Sequence, residues 1–288
     1  MSPDPLVVIR PLDDHDVSRA MELVTAANWN QTPRDWRRMI DYQPGGCFKA
    51  SLNESLVGTV TTTCYGSHLA WIGMMLVDAS QRRRGIGTRL MQHVIDFLHA
   101  KGVRSIKLDA TPAGQPLYAQ LGFRSEHDFQ RRLRPASAIA TASATTLQHE
   151  SADPSESYSE FDVEAIATLD RCAFGVDRRA WLKRLALDSR VVFHGHGFGM
   201  LRSGRIADYL GPVIAPDARC ADAIIRELLS GTSEQVIWDV PHGNSAATTL
   251  AEKYHFEPVR ILTRMWLGEE LQPASPDFQF AICDPATG

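Results

Sequence analysis

Residues 71–89, WIGMMLVDASQRRRGIGTR, place the tightest constraint on how this chain can fold. The apolar run WIGMMLV has the length and character of a strand buried on both faces. Polar DASQ then turns the chain, and Arg82-Arg83-Arg84-Gly85-Ile86-Gly87-Thr88 leads into Leu90, Val94, Phe97 and Leu98 at helical spacing, with Lys101-Gly102 marking the end. The order is strand, turn, helix. Backbone N–H groups at the start of such a helix have no partner within it and point into one small volume, where the helix dipole also favours negative charge. Gly85 and Gly87 carry no Cβ, so an anion can approach the backbone closely, and three arginines stand beside it. Residues 82–88 therefore predict a phosphate cradle. Neither G-x-x-x-x-G-K-[ST] nor G-x-G-x-x-G is satisfied, which sets aside the two common nucleotide motifs.

The flanking sequence supplies a mixed α/β frame for this unit. Residues 5–11 (PLVVIRP) predict a first strand, and VSRAMELVTAA after Asp13 and Asp16 predicts a helix through Val17, Ala20, Met21 and Val24. Asn28-Trp29-Asn30-Gln31 breaks it. Thr32-Pro33 then offers an N-cap and a proline at the first helical position for a second helix through Trp36, Met39 and Ile40. Residues 47–66 predict two strands joined at Asn53-Glu54, and residues 69–77 and 105–110 predict two more. Next, Pro116 and Gly122 bracket a short helix in PLYAQLGF, and residues 123–133 supply the last strands. The order is βααβββαβ.

Arg82 to Gly87 meet the pattern [QR]-x-x-G-x-[GA]. Preceded by an apolar strand and followed by LYAQLGF, this stretch resembles the acetyl-CoA signature of the GNAT N-acetyltransferase superfamily. That resemblance implies acetyl-CoA as co-substrate and direct acetyl transfer to a primary amine in a ternary complex. It assigns the backbone of Leu76 and Val77 to the pantetheine amides, and Arg82, Arg83, Arg84, Gly85, Ile86, Gly87 and Thr88 to the pyrophosphate. Tyr118 matches the position whose hydroxyl protonates the leaving thiolate, a role the chemistry needs because attack on a thioester expels a sulfur anion. The first helix pair and its loop shape the acceptor pocket in this family, which makes Trp29, Asn30 and Trp36 candidates, with a core role equally open to both tryptophans. The amine must lose a proton before it attacks. Many relatives use a glutamate on the strand entering the cradle, but WIGMMLV holds no carboxylate. Asp78 and Asp109 are the nearest acids in sequence, Asp208, Asp239 and His242 could reach in from the second half, and a water chain is an equal alternative.

Composition shifts at residues 135–160, rich in Ala, Ser, Thr, Asp and Glu, which predict a linker. Residues 161–270 then repeat the element order of residues 1–134, leaving residues 271–288 as a tail. The fold expected is α+β: two tandem GNAT-like units of the bacterial two-domain type, each a mostly antiparallel twisted sheet flanked by helices. The second unit lacks the cradle. Where the first has LVDASQRRRGIGTRL, it has PVIAPDARCADAII, with no glycine at the helix start, a single Arg219, and no tyrosine at the acid position. The expectation is a degenerate unit that walls the substrate cleft.

Formal charge is −4, against bulk nucleic-acid or membrane-surface binding. No apolar run approaches a membrane span and no secretory signal is visible, so a cytoplasmic monomer or homodimer is expected. Five scattered cysteines without a C-x-x-C pair, and His194 and His196 without a nearby carboxylate, point away from a disulfide framework or a metal site. The acceptor class stays open between small-molecule amine and peptide. A non-catalytic acyl-CoA sensor is the alternative function.

Overall fold

A computed structural model describes residues 7–136, 163–230 and 232–288. The first half runs β1 (Val8–Pro11), α1 (Val17–Ala26), α2 (Pro33–Tyr42), β2 (Phe48–Leu52), β3 (Ser55–Tyr65), β4 (Leu69–Val77), α3 (Ile86–Ala100), β5 (Ser105–Ala110), α4 (Gln115–Gln120) and β6 (Arg124–Arg134). Local chemistry accounts for the boundaries. Thr32 and Asp35 form a reciprocal capping box with Pro33 just inside α2, and Asn53 and Glu54, both at positive φ, make the tight β2–β3 turn. Residues 124–134 form one long strand instead of several short ones, because both of its edges find partners along its length.

The second half repeats the order: α5 (Val163–Phe174), α6 (Arg179–Ala186), β7 (Arg190–His194), β8 (Gly197–Arg202), β9 (Asp208–Ile214), α7 (Ala218–Leu229), β10 (Val236–Pro241), α8 (Ser245–Lys253) and β11 (Glu257–Gly268). A short β12 (Gln279–Ala281) follows within the expected tail. Apart from Pro135 and Ala136, the expected linker at 135–160 lies outside the described residues, as does the start of the expected first strand.

Among the described residues all twelve strands join one sheet, in the order β1-β2-β3-β4-β5-β11-β6-β10-β9-β8-β7, with β12 paired to β9. Among these pairings β4–β5 and β9–β10 are parallel and the others antiparallel. The final strands of the two halves are exchanged: β11 lies beside β5, β6 lies beside β10, and the two pair with each other in the middle. Neither half closes its sheet without a strand from the other. A shared core reinforces this, since Trp36 and Trp71 from the first half cluster with Phe174, Trp181 and Phe198 from the second. On the opposite face each half has its own core, α3 over β2, β3 and β4 in the first, and α7 over β7 to β9 with α8 over β10 in the second.

The last ten residues thread between the halves. Trp71 Nε1 donates to the Pro285 carbonyl at 3.1 Å, Tyr65 Oη to the Thr287 carbonyl at 2.6 Å, and Arg202 to Cys283 O and Asp284 at 3.0 and 3.1 Å. Gly73 permits this route: a Cβ there would stand 2.4–2.7 Å from Ala286. Among the described residues no helix is long and apolar enough to cross a membrane, and no group of three or more His, Cys, Asp or Glu could hold a metal ion.

Candidate active site

The site begins where two parallel strands part. β4 and β5 pair only from Leu69↔Ser105 to Trp71↔Lys107. Beyond that point β5 stays paired to β11 as far as Ala110, and β4 to β3 as far as Val77, so the two are drawn to opposite sides. An extra residue in β4 assists: Gly73 faces Thr61 and Leu76 faces Thr59, three steps against two, with Met74 at φ 48 and its carbonyl held by Thr59 Oγ1 at 2.9 Å. The β5-facing backbone edge of β4 past Trp71 is thus left without a ladder partner. A cavity of about 720 Å³ fills the divergence.

At one end of this cavity lies the start of α3. Gly85 occupies the cap position at φ 74, and no side chain caps the helix, so its first N–H groups remain open to an incoming anion. A Cβ on Gly85 would meet nothing within 4 Å; what the position demands of glycine is the left-handed backbone. Arg82, Arg83, Gly85, Ile86, Gly87 and Thr88 all line the cavity, as do Leu76 and Val77. Arg82 bends back to donate from Nε to the Val77 carbonyl at 3.1 Å. Arg84 is exposed, bonds Gln81 at 2.8 Å, and stands outside the cavity wall.

Tyr118, on α4, lines the same cavity next to Gly114 and Leu117. Burial pushes its hydroxyl up to about 12, so at neutral pH it holds its proton, the state a general acid requires. Trp29 also lines the cavity while packing on the shared core, whereas Trp36 is fully buried core. Asn30, expected at the acceptor pocket, is spent elsewhere: its carboxamide accepts from Ile206 N and Ala207 N at 2.9 and 3.0 Å and donates to Ala207 O at 2.9 Å. It clamps a loop of the second half.

The acidic candidates for a base are all engaged. Asp109 reaches the cavity wall but is buried in a two-point pair with Arg264, at 2.9 and 3.1 Å; burial raises its pKa and Arg264 works against that rise. Asp239 is held by Arg131 and by Tyr209 Oη. Asp78 caps the turn after β4, where hydrogen bonds from the Ser80 hydroxyl and backbone hold it below the usual carboxylate range. Asp208 binds Thr232 at 2.8 Å, His242 is exposed, and neither lines the cavity.

Several cavity residues carry no signal in the sequence. Arg260 and Leu262 arrive on the exchanged strand β11, Arg131 on β6, and Pro285 and Ala286 on the C-terminal segment. Each is brought in by pairing between distant parts of the chain, which no local pattern records.

The matching place in the second half is built alike and filled. β9 and β10 pair from Asp208↔Val236 to Leu210↔Trp238 and then part, and β9 carries the same three-against-two slip relative to β8. Here β12 enters the gap: it pairs with β9, Trp238 Nε1 donates to the Phe280 carbonyl at 2.9 Å, and Ile282 N donates to Asp239 O at 3.3 Å. At the start of α7 the Asp217 carboxylate accepts from Cys220 N at 2.8 Å. The protein's own strand and carboxylate occupy what the first half leaves open.

Known proteins share this plan. Residues 17–123 match the model described as "Acetyltransferase (GNAT) family", and residues 166–279 match "Acetyltransferase (GNAT) domain". The chain is similar to "Uncharacterized N-acetyltransferase YitH" of Bacillus subtilis (strain 168), 24% identical over 249 residues and covering 80% of each chain. It is 25% identical over 256 residues to "Holothin acyltransferase" of Pseudoalteromonas sp. (strain SANK 73390), covering 87% of this chain and 84% of that one. A solved structure of a putative acetyltransferase from Pyrococcus horikoshii superposes with a TM-score of 0.80 at 24% identity, covering 98% of this chain and 96% of the other. That likeness extends the fold across both halves.

Proposed function

The chain belongs to the GNAT acetyltransferases, with GNAT domains at residues 17–123 and 166–279, and on that premise we propose that it is an acetyl-CoA-dependent N-acetyltransferase with one active site, in its first half. The acceptor is a primary amine of a small molecule or peptide, and transfer is direct. One observation carries the reading: the free edge of β4, the uncapped start of α3 and Tyr118 converge on a single cavity.

The residues suit the co-substrate. The open α3 N–H groups with Arg82, Arg83 and Thr88 would hold its pyrophosphate, and the edge at Leu76 and Val77 would take the pantetheine amides as an added strand. Acetyl-CoA supplies an activated acetyl thioester. Tyr118 keeps its proton on Oη and donates it where a thiolate leaves. With Asp78, Asp109 and Asp239 all committed to partners, the amine's proton leaves through water in the cavity. The second half acts as wall, contributing Arg260, Leu262, Pro285 and Ala286.

Calorimetric titration of acetyl-CoA, followed by thiol release over a panel of amines, tests this. Saturable binding with a micromolar to submillimolar constant, and turnover with at least one amine class, is expected. A protein that does not bind acetyl-CoA overturns the proposal.

A further inference from the structure

The face of the sheet turned away from α3 carries a series of buried cations, and nearly all are matched. Lys107 pairs with Glu126 at 2.7 Å, Arg264 with Asp109 at 2.9 Å, Arg131 with Asp239 at 2.7 Å and Arg202 with Asp284 at 3.1 Å. Arg260 is the exception. It stands directly across from Arg131 in the β11–β6 register, alternates with Leu262 and Arg264 on the same face, and lines the cavity. It makes no ion pair or hydrogen bond among the described residues, and its Nε is buried without a partner. Arg131 offers no relief, because Asp239 neutralises it and is itself saturated by a further bond from Tyr209 at 2.8 Å. Burial, with the charge of Arg131 next to it, lowers the Arg260 guanidinium to about 10. Placing a half-buried cation beside another without an anion is unfavourable, and here it is done at the wall of a cavity.

We infer that Arg260 binds a carboxylate of the acceptor, so that the acceptor is an amine that also carries a carboxylate; this rests on the acetyltransferase reading above. Three features favour that group. The Arg131–Asp239 pair cancels, leaving a single positive charge, which a monoanion balances and a phosphate dianion exceeds. A carboxylate matches the planar fork of a guanidinium with two oxygens. Finally, Arg260 shares its face with Asp109, whereas Ile106, Leu108 and Ala110 turn to the opposite face and share the core of α3, so this cation lines the common cavity from the face opposite the helix that carries the cradle.

The test uses the full chain with acetyl-CoA and a panel of common amino acids, each paired with its carboxamide. For the wild type, kcat/KM is expected to favour the acid over its amide by about tenfold to a hundredfold, the scale of one charge-assisted pair. Arg260→Gln should raise KM for acids by that factor with little change in kcat, leave amides and acetyl-CoA affinity where they were, and so erase the preference. Arg260→Lys should restore part of it. Wild-type protein that binds acetyl-CoA and acetylates acids and amides equally, or an Arg260→Gln enzyme that keeps the preference, overturns the inference while the acetyltransferase reading stands. Failure of the wild type to bind acetyl-CoA overturns both.

Discussion

The gaps β4/β5 and β9/β10 are two outcomes of one design. Both arise from parallel strands that pair for three residues and then part, and both strands before the helix carry the same register slip. In the first, Gly85 sits left-handed at an uncapped helix and the strand edge faces a cavity of about 720 Å³. In the second, Asp217 caps the helix and β12 fills the gap with buried Phe280 and Ala281. The lesson is that the two halves differ by more than the glycines at one helix start. An open helix start and a bare strand edge are unsatisfied polar groups, and in the second half the chain supplies its own carboxylate and its own strand to both.

The contrast can be broken most sharply at Gly85. Gly85→Glu forces a Cβ into the left-handed region and sets a carboxylate at the cradle. Acetyl-CoA affinity should fall at least about 10⁴-fold, the loss of several charge-assisted hydrogen bonds, as read by calorimetry. Binding that survives this change would place the site elsewhere. In the second half, Phe280→Ala should lower unfolding free energy by about 3–5 kcal/mol through the cavity it leaves, measured by denaturant titration. Acetyl-CoA stoichiometry should stay at one per chain; a second equivalent would show that β12 alone keeps that half from binding. Next in size is Tyr118→Phe, expected to cut kcat by about 100-fold with acetyl-CoA affinity retained. The sign of its pKa shift adds a pH criterion. An acid raised to about 12 stays protonated throughout the neutral and mildly alkaline range, so wild-type kcat should show no fall below pH 10 from loss of this proton. Smallest is Asp217→Ala, which should cost about 1 kcal/mol as a lost N-cap, visible as a lowered Tm, and leave acetyl-CoA binding unchanged.

Much of the first half was legible because its signals are local. The capping box at Thr32 and Asp35, the Asn53-Glu54 turn and the strand–turn–helix of residues 71–89 each depend on neighbours a few residues apart. Residues 82–88 and Tyr118 stood out for the same reason, and all of them but Arg84 line one cavity. Asn30 shows where that stops: its position in the loop after α1 suggested an acceptor contact, but its partners, Ile206 and Ala207, lie more than 170 residues away. The segment expected as a tail is another case, since Phe280 and Ala281 are core only because a gap between β9 and β10 exists to receive them.

By itself the sequence determined the element order, its repetition, and the presence of the arginine-glycine helix start in one copy and its absence from the other. All of these are written in helical periodicity, turn residues and glycine placement, which act over a few residues. Only the tertiary structure decided that β6 and β11 change places, that the C-terminal segment closes the second gap, and that Arg260 lines the cavity at the first. Strand exchange leaves no local trace, because the residue pattern of a strand reads the same whichever neighbour it pairs with. Which neighbour that is depends on edges and faces left unsatisfied in distant parts of the chain.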